Sequence, residues 1–356
     1  MGVTETMTCP VQKFLTHNKV EASAPCRIDS GGTWDIRALA LPLQQIGPIS
    51  LNVAINLRTT VALSPYQEGK VSISSEGFTR DEAFLIDNLP FNSPFGPFFG
   101  AISWFGFHGL KIRITSQSPV RSALGGSSTA LVALVKALSI LSHRLGGRLM
   151  QARDILHLAY HLEDAMAGGY CGMQDHAAAV YGGVNQWNWY YGDPKAPFKR
   201  TRLLDRKGQQ EFSRRLLVAY SGKQHVSSHI NRKWIKDFLS GHTRKEWIKV
   251  NEVVQCLAQS IKARDWGRTV SLLREEMALR REFTPESLIP ITDKLVAQAE
   301  AEVCGARFAG AGKGGTMWAF GELEAIERLK QKWESTLLPM KGARILDCAV
   351  DPQGVN

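Results

Sequence analysis

The sequence lacks paired cysteines, long hydrophobic runs and repeated segments. Its cysteines follow no paired spacing, which excludes a disulfide framework or a cysteine zinc site and fits a reducing compartment. They are Cys9, Cys26, Cys171, Cys256, Cys304 and Cys348. The longest apolar stretch, Ala130 to Leu141, is interrupted by Lys136 and is too short to span a bilayer. Residues 1–20 hold no continuous apolar core, so no signal peptide is expected. We therefore predict a cytoplasmic protein without a membrane partner.

The chain carries an excess of positive charge that is not concentrated in any one segment. Lysine and arginine number 43 against 33 aspartate and glutamate, which gives a net charge of +10. The positive residues are spread along the chain, which favours anionic small ligands over nucleic acid. A basic surface with no specific partner is equally consistent with this composition.

Length and local patterns predict two domains of α+β class. A chain of 356 residues exceeds the usual size of one domain. Residues 1–21 are polar and read as a loose extension. Strand-like and helical runs then alternate to about residue 205, and helices with a few strands follow. The predicted domains are therefore 22–205 and 206–356, with residues 91–109 as a packed loop because Phe, Gly and Pro crowd that stretch.

The segment from Ser118 to Ala130 is the strongest local pattern. It follows a strand-like run, is rich in small and hydroxyl residues, and leads into an apolar helix. Free backbone N–H groups at a helix start, with the helix dipole, bind phosphate. Hydroxyls there can also ligate a hard cation that accompanies phosphate. An ordinary Ser/Thr cap after a glycine turn is the alternative interpretation.

Three further groups of residues could contribute chemistry. Residues 24–35 place an arginine and a glycine pair near two aspartates, although on their own a plain glycine turn explains them better. Glu163 and Asp175, separated by a glycine turn, could divide metal binding and proton transfer; alternatively one caps a helix and the other is solvated. Gly310 to Gly315 matches G-x-G-x-x-G, but a strand-like run follows it, which argues against a Rossmann site. It is not a Walker A loop either, because Lys313 precedes glycine.

Taken in order, these pieces resemble the GHMP family of small-molecule kinases. Residues 24–35 look like the first family motif, 119–128 like the phosphate loop, and 308–315 like the third, glycine-rich motif. The resemblance covers nearly the whole chain after residue 22. Arg121 and Ala123 stand where the loop usually has glycine, and Lys313 interrupts the third motif. The implied fold has a ribosomal S5 domain 2-like N-terminal part and a ferredoxin-like C-terminal part.

The resemblance also implies roles for individual residues. Asp175 matches the base for the substrate hydroxyl, and Arg27 the arginine beside it. Ser127 and Glu163 match the Mg²⁺ ligands, with Ser128 as the alternative to Ser127. The implied ATP-binding residues are Pro119, Ser122, Leu124, Gly125, Gly126, Ser127, Ser128, Gly310 and Gly312. The implied substrate-binding residues are Asp35, Gly32 and Asp175.

Within the family, the chain looks most like the sugar branch that holds heptose 7-phosphate 1-kinases and fucokinase-like enzymes. Residues 27–32 and 172–183 carry this likeness, together with Tyr220 to Lys223. The implied activity is ATP- and Mg²⁺-dependent phosphorylation of a hydroxyl, with the anomeric one favoured, on a sugar or sugar phosphate. The alternatives are a kinase for a mevalonate-like or homoserine-like alcohol and a non-catalytic sensor with the same fold. Neither the sugar nor the oligomeric state follows from the sequence.

Overall fold

A computed structural model describes residues 9–76, 82–224 and 227–356 of the chain. Within these residues, helices pack against two β-sheets, one of seven strands and one of four. The larger sheet is formed by the first 202 residues and the smaller one by residues after 215. This mixture of helices and sheets confirms the α+β prediction.

The larger sheet is built around two long paired strands. Its strands are β1 (Val20–Gly31), β2 (Ile49–Pro65), β3 (Lys70–Ser75), β4 (Glu82–Leu85), β5 (Leu110–Ser116), β6 (Val184–Trp189) and β7 (Phe198–Arg202). Their order is β4-β3-β5-β2-β6-β7, with β1 paired antiparallel to β2. The β3–β5 pair is parallel, and the other pairs are antiparallel. One end of β1 therefore carries Arg27 and Asp29 toward the second part of the fold.

Helices of the first part cover this sheet. They are α1 (Pro10–His17), α2 (Arg37–Ala40), α3 (Gly96–Phe105), α4 (Gly126–Arg144), α5 (Ala152–Met166) and α6 (Gln174–Tyr181). The longest, α4, is buried from Ser128 to Val135 and packs on β1, β2, α5 and α6. In the described part of the chain it is the one helix whose length and composition would suit a membrane span. Because two thirds of that apolar window is buried inside the protein, α4 is a core helix.

The second part folds around the smaller sheet. Its strands are β8 (Leu216–Tyr220), β9 (Gly305–Phe308), β10 (Thr316–Phe320) and β11 (Arg344–Leu346), paired antiparallel in the order β11-β8-β10-β9. Its helices are α7 (Arg206–Ser213), α8 (Ser227–Leu239), α9 (Arg244–Ala263), α10 (Trp266–Phe283), α11 (Pro290–Ala301) and α12 (Leu323–Leu337). The helices with a few strands predicted after about residue 205 are present in this part.

Hydrophobic packing crosses the predicted boundary at residue 205. One core cluster joins Ile28 of β1 to Val218 of β8 and Val254 of α9. The C-terminal tail also returns to the larger sheet, where Asp351 N–H donates to the Ala54 carbonyl at 2.8 Å. The two parts consequently share a core instead of meeting through a thin interface.

The predicted loose extension over residues 1–21 is wrong for residues 10–21. Residues 10–17 form α1, and β1 begins at Val20. Pro10 occupies the first helical position, where its missing N–H costs nothing, while Val11 and Leu15 are buried one turn apart. Residues 1–8 lie outside the described residues.

The predicted loop over residues 91–109 is also wrong in its middle. Residues 96–105 form α3, which begins with a proline in its first turn and ends at Gly106 in the left-handed conformation (φ 67°). Phe98, Phe99 and Ile102 are buried on its inner face. Proline and glycine therefore mark the two ends of a helix here, and tertiary burial of the aromatic residues compensates for weak helix propensity.

Candidate active site

A cavity of about 570 Å³ lies where the two parts meet. Its walls come from β1, the loop between β5 and α4, the end of α5, the start of α6, and Trp234 of α8. Phe95, Phe98 and Ile114 make one end apolar. Arg27, Asp35, Glu163 and Asp175 give the other end a dense set of charges. The sequence motifs, which are far apart along the chain, converge on this one cavity.

The loop between β5 and α4 presents a helix start to the cavity. Gly125 precedes α4 in the left-handed conformation (φ 74°), and no side chain caps the first turn of the helix. The N–H groups of that turn are consequently available to an anion, in line with the phosphate-loop prediction. Pro119, Ser122, Gly126, Ser127 and Ser128 line the cavity together with Gly125.

Arg121 and Ala123 adopt the glycine-like backbone that this loop requires. Their φ angles are 54° and 65°, in the left-handed region that a side chain disfavours. The conformation is fixed from both sides: Thr316 N–H donates to the Ser122 carbonyl at 2.8 Å, and Arg27 Nη1 donates to the Ala123 carbonyl at 2.7 Å. The loop keeps its shape without glycine because its neighbours constrain it.

Buried Arg27 and half-buried Asp175 form an ion pair at the charged end of the cavity. Arg27 Nε donates to Asp175 Oδ1 at 2.7 Å. Asp175 lies in the first turn of α6, against Gly125; a Cβ at Gly125 would stand 3.1 Å from the carboxylate carbon. Burial lowers the pKa of Arg27, but Asp175 and Asp29 outweigh it and raise the pKa above its usual value. Arg27 therefore remains cationic, and a carboxylate sits beside the predicted phosphate site.

Glu163 at the end of α5 faces both serines of the α4 start. Ser128 Oγ donates to Glu163 Oε2 at 2.6 Å, and His176 Nε2 lies 2.7 Å from the same oxygen. Burial raises the pKa of Glu163, but His176 and the hydroxyls of Ser128 and Ser127 outweigh it, so the pKa lies below its usual value. Glu163 is thus held as an anion.

The carboxylate of Glu163 and the hydroxyls of Ser127 and Ser128 are suitable ligands for Mg²⁺. The ion prefers hard oxygen ligands and usually combines one or two carboxylates with substrate phosphates. Among the described residues, no three His, Cys, Asp or Glu side chains form a complete metal site. One carboxylate and the hydroxyls of Ser127 and Ser128 beside a phosphate-binding helix start suit an ion that phosphates also hold.

Asp35 is buried in the cavity wall with one carboxylate oxygen unsatisfied. The N–H of Gln174 donates to Oδ2 at 3.3 Å, whereas Oδ1 has no partner in the described structure. Burial raises the pKa of Asp35 to about 8, and the nearby Asp175 adds to the shift. Gly172 makes room for this carboxylate, since a Cβ there would overlap Oδ2.

Not every predicted residue reaches the cavity wall. Gly310 lines the wall, but Leu124, Gly312 and Gly32 do not. The Leu124 side chain is buried in the core, and its carbonyl accepts from the N–H of Arg27 at 3.1 Å. These three residues shape the backbone near the site instead of facing a ligand.

Sequence reasoning missed three residues of the site. His176 contacts Glu163. The backbone N–H of Gln174 donates to Asp35, and Trp234 lines the cavity. His176 and Gln174 flank Asp175, so their position was a signal that went unused. The sequence contains no signal for Trp234, because an apolar residue on an amphipathic helix is expected to belong to the hydrophobic core.

Comparisons with known proteins find similarity to one family of kinases. A family model of the GHMP kinases N terminal domain matches residues 98–183, which contain the loop, Glu163 and Asp175. The bifunctional fucokinase/GDP-fucose pyrophosphorylase of Arabidopsis thaliana is 23% identical over 89% of this chain, which spans 31% of that relative's length. The mevalonate kinase of Thermococcus sibiricus is 23% identical over 95% of this chain and 98% of its own.

A solved structure extends the likeness to the whole fold. The D-glycero-D-manno-heptose 1-phosphate kinase from Bacteriodes thetaiotaomicron superposes with a TM-score of 0.72 at 17% identity, over 95% of this chain and 98% of its own. The predictions of family, fold and an ATP-dependent kinase are confirmed at this level. Residues 98–183 thus match the GHMP kinases N terminal domain, and the chain has the fold of the GHMP kinases, whose members are ATP-dependent kinases.

Proposed function

We propose that the chain transfers the γ-phosphate of ATP to a hydroxyl of a sugar or sugar phosphate, with the anomeric hydroxyl favoured. One observation carries the proposal: Asp175 is paired with Arg27 at 2.7 Å and lies against Gly125 of the predicted phosphate loop. A carboxylate in this position can take the proton of an attacking hydroxyl next to the transferring group.

Binding of ATP is proposed from the loop between β5 and α4 and from the two ends of the cavity. The uncapped start of α4 supplies N–H groups for phosphate oxygens. Phe95, Phe98 and Ile114 at the apolar end suit a flat, weakly polar base. Mg²⁺, when bound, would neutralise phosphate charge, and Glu163 with Ser127 or Ser128 would hold it.

In the proposed reaction the substrate oxygen forms a bond to the γ-phosphorus while the bond between that phosphorus and the β-phosphate oxygen breaks. The hydroxyl proton passes to Asp175, and ADP leaves. Arg27 keeps Asp175 in place and contributes positive charge next to the transferring group. Positioning and charge neutralisation are the main requirements of phosphoryl transfer.

The substrate side favours a sugar. Asp35 leaves a buried acceptor free for a hydroxyl, and both the fucokinase relative and the heptose kinase structure carry sugar names. A mevalonate-like alcohol is the second candidate, because the mevalonate kinase of Thermococcus sibiricus matches nearly its full length. The cytoplasmic location, the lack of nucleic-acid and membrane partners, and the domain boundary near 205 stay predictions.

The test is release of ADP from Mg·ATP with a panel of acceptors. The panel holds fucose, galactose, mannose, a heptose 7-phosphate, mevalonate and homoserine. We expect ADP release above the acceptor-free rate with at least one sugar compound. Release with mevalonate or homoserine alone would favour the second candidate. Sugar binding without any ADP release would instead indicate a non-catalytic sensor and overturn the proposal.

A further inference from the structure

The substrate end of the cavity offers no free cation among the residues that the structure describes. Arg27 and Arg121 are the cationic side chains in the described wall. Arg27 already donates to Asp175 and to the Ala123 carbonyl. Arg121 belongs to the phosphate loop, is exposed, and donates through Nη1 to Gln224 at 3.3 Å. Among the described residues that line the cavity, an anionic group on the substrate would find no unoccupied cation beside Asp35.

The same wall holds excess negative charge. Asp29 is matched by Arg307, and Asp175 is matched by Arg27. Asp35 faces no cation within ion-pair distance in the described structure, and burial with the neighbouring Asp175 raises its pKa to about 8. The surroundings that disfavour a charge on Asp35 disfavour a second negative charge brought by a ligand as well.

Buried polar atoms of the wall that have no hydrogen-bond partner favour a ligand with hydroxyl groups. Asp35 Oδ1 and Gln174 Oε1 are buried acceptors without a partner, and Trp234 Nε1 is a buried donor without one. All three side chains are more than nine-tenths buried. Leaving such atoms unpaired is costly, so a ligand that pairs them is favoured. A hydroxyl both donates and accepts, whereas a phosphate dianion or carboxylate only accepts.

We infer that this site, as part of the sugar kinase proposed above, takes an uncharged polyol with neighbouring hydroxyls and rejects a sugar phosphate or hydroxy acid. The inference rests on the proposed function and narrows it. Asp35 and Gln174 accept from the sugar hydroxyls, and Trp234 donates to one of them. Asp35 strengthens the preference once it is ionised, above its pKa of about 8, because no cation of the described wall lies within ion-pair distance of it.

The experiment compares kcat/KM for matched pairs of acceptors with Mg·ATP. The pairs are mannose and mannose 6-phosphate, galactose and galactose 6-phosphate, and a heptose and its 7-phosphate; mevalonate is added as a hydroxy acid. We expect the free sugar of the active pair to be preferred by about 100-fold or more, which is the cost of an unpaired like charge. A preferred sugar phosphate, or turnover of mevalonate alone, would overturn the inference.

The Asp35→Asn variant tests the cause of the preference. At pH 9, where Asp35 with its pKa of about 8 is ionised, the asparagine removes a negative charge and is expected to narrow the ratio between free sugar and sugar phosphate by about tenfold or more. The exposed Asp347→Asn variant, outside the cavity wall, should leave the ratio unchanged. A ratio that Asp35→Asn does not move would overturn the role of Asp35. If that variant fails to fold, the wild-type pairs alone still decide the substrate class.

Failure of this inference can be told apart from failure of the proposed function. ADP release with a sugar phosphate in preference to its free sugar leaves the kinase standing and removes the inference. No ADP release with any acceptor removes both.

Discussion

The carboxyl group of Asp35 couples stability to pH. Its pKa in the folded protein is about 8, because burial and Asp175 disfavour its charge, whereas the unfolded chain has the ordinary value near 3.8. Between these values the folded state binds a proton that the unfolded state does not. The contribution of this proton to the free energy of unfolding is therefore complete below the unfolded pKa and is lost as pH rises toward 8.

Replacing Asp35 by asparagine is expected to remove this pH dependence. The free energy of unfolding of the wild type, relative to Asp35→Asn, should decline from pH 5 to pH 7.5 by up to about 1.4 kcal/mol per pH unit. Urea unfolding of both proteins at several pH values measures it. A constant difference across this range would show that Asp35 has an ordinary pKa.

The loop that leads into α4 stores backbone strain at a non-glycine position. Ala123 has a φ of 65°, where glycine is favoured over alanine. Ala123→Gly is therefore expected to raise the free energy of unfolding by about 0.5–1 kcal/mol, less the entropy that glycine gains when unfolded. Ala297→Gly, at an exposed position inside α11, is the matched control and should lower it by about the same amount. A loss of stability in both variants would contradict the strain.

Sequence patterns predicted the elements whose periodicity is local. The start of α4 followed from small and hydroxyl residues ahead of an apolar run, and Glu163 and Asp175 followed from the glycine turn between them. The helix α3 did not, because its glycine and proline residues disfavour it locally and only burial of Phe98 and Phe99 stabilises it. The sequence also did not predict that Trp234 lines the cavity, because this position depends on how α8 packs against the other part of the fold.

Across the entire fold, a buried ion cluster ties the two sheets together. Arg307 of β9 contacts Asp29 of β1 and donates through Nε to Glu276 of α10 at 2.8 Å. Arg280 lies 3.8 Å from the same glutamate, with its guanidinium over the ring of Trp234. Charges in this position cannot be hydrated, so each depends on its partners.

Arg307→Met is expected to lower the free energy of unfolding by about 3–5 kcal/mol, because it leaves Asp29 and Glu276 without their partner. Arg281→Met is the matched control: Arg281 also pairs with two carboxylates, Asp293 and Glu300, but near the surface. Its loss should cost at most about 1 kcal/mol. Urea unfolding measures both, and equal losses would contradict a structural role for burial of the cluster.

The most direct test of the proposed reaction is turnover by Asp175→Asn. The asparagine keeps the shape of the side chain but cannot take a proton, so kcat for the best acceptor should fall by about 10²–10⁴-fold. Nucleotide binding, measured by calorimetry, should stay near the wild-type Kd, and Asp347→Asn should be fully active. Near-normal turnover by Asp175→Asn in a folded protein would contradict the account.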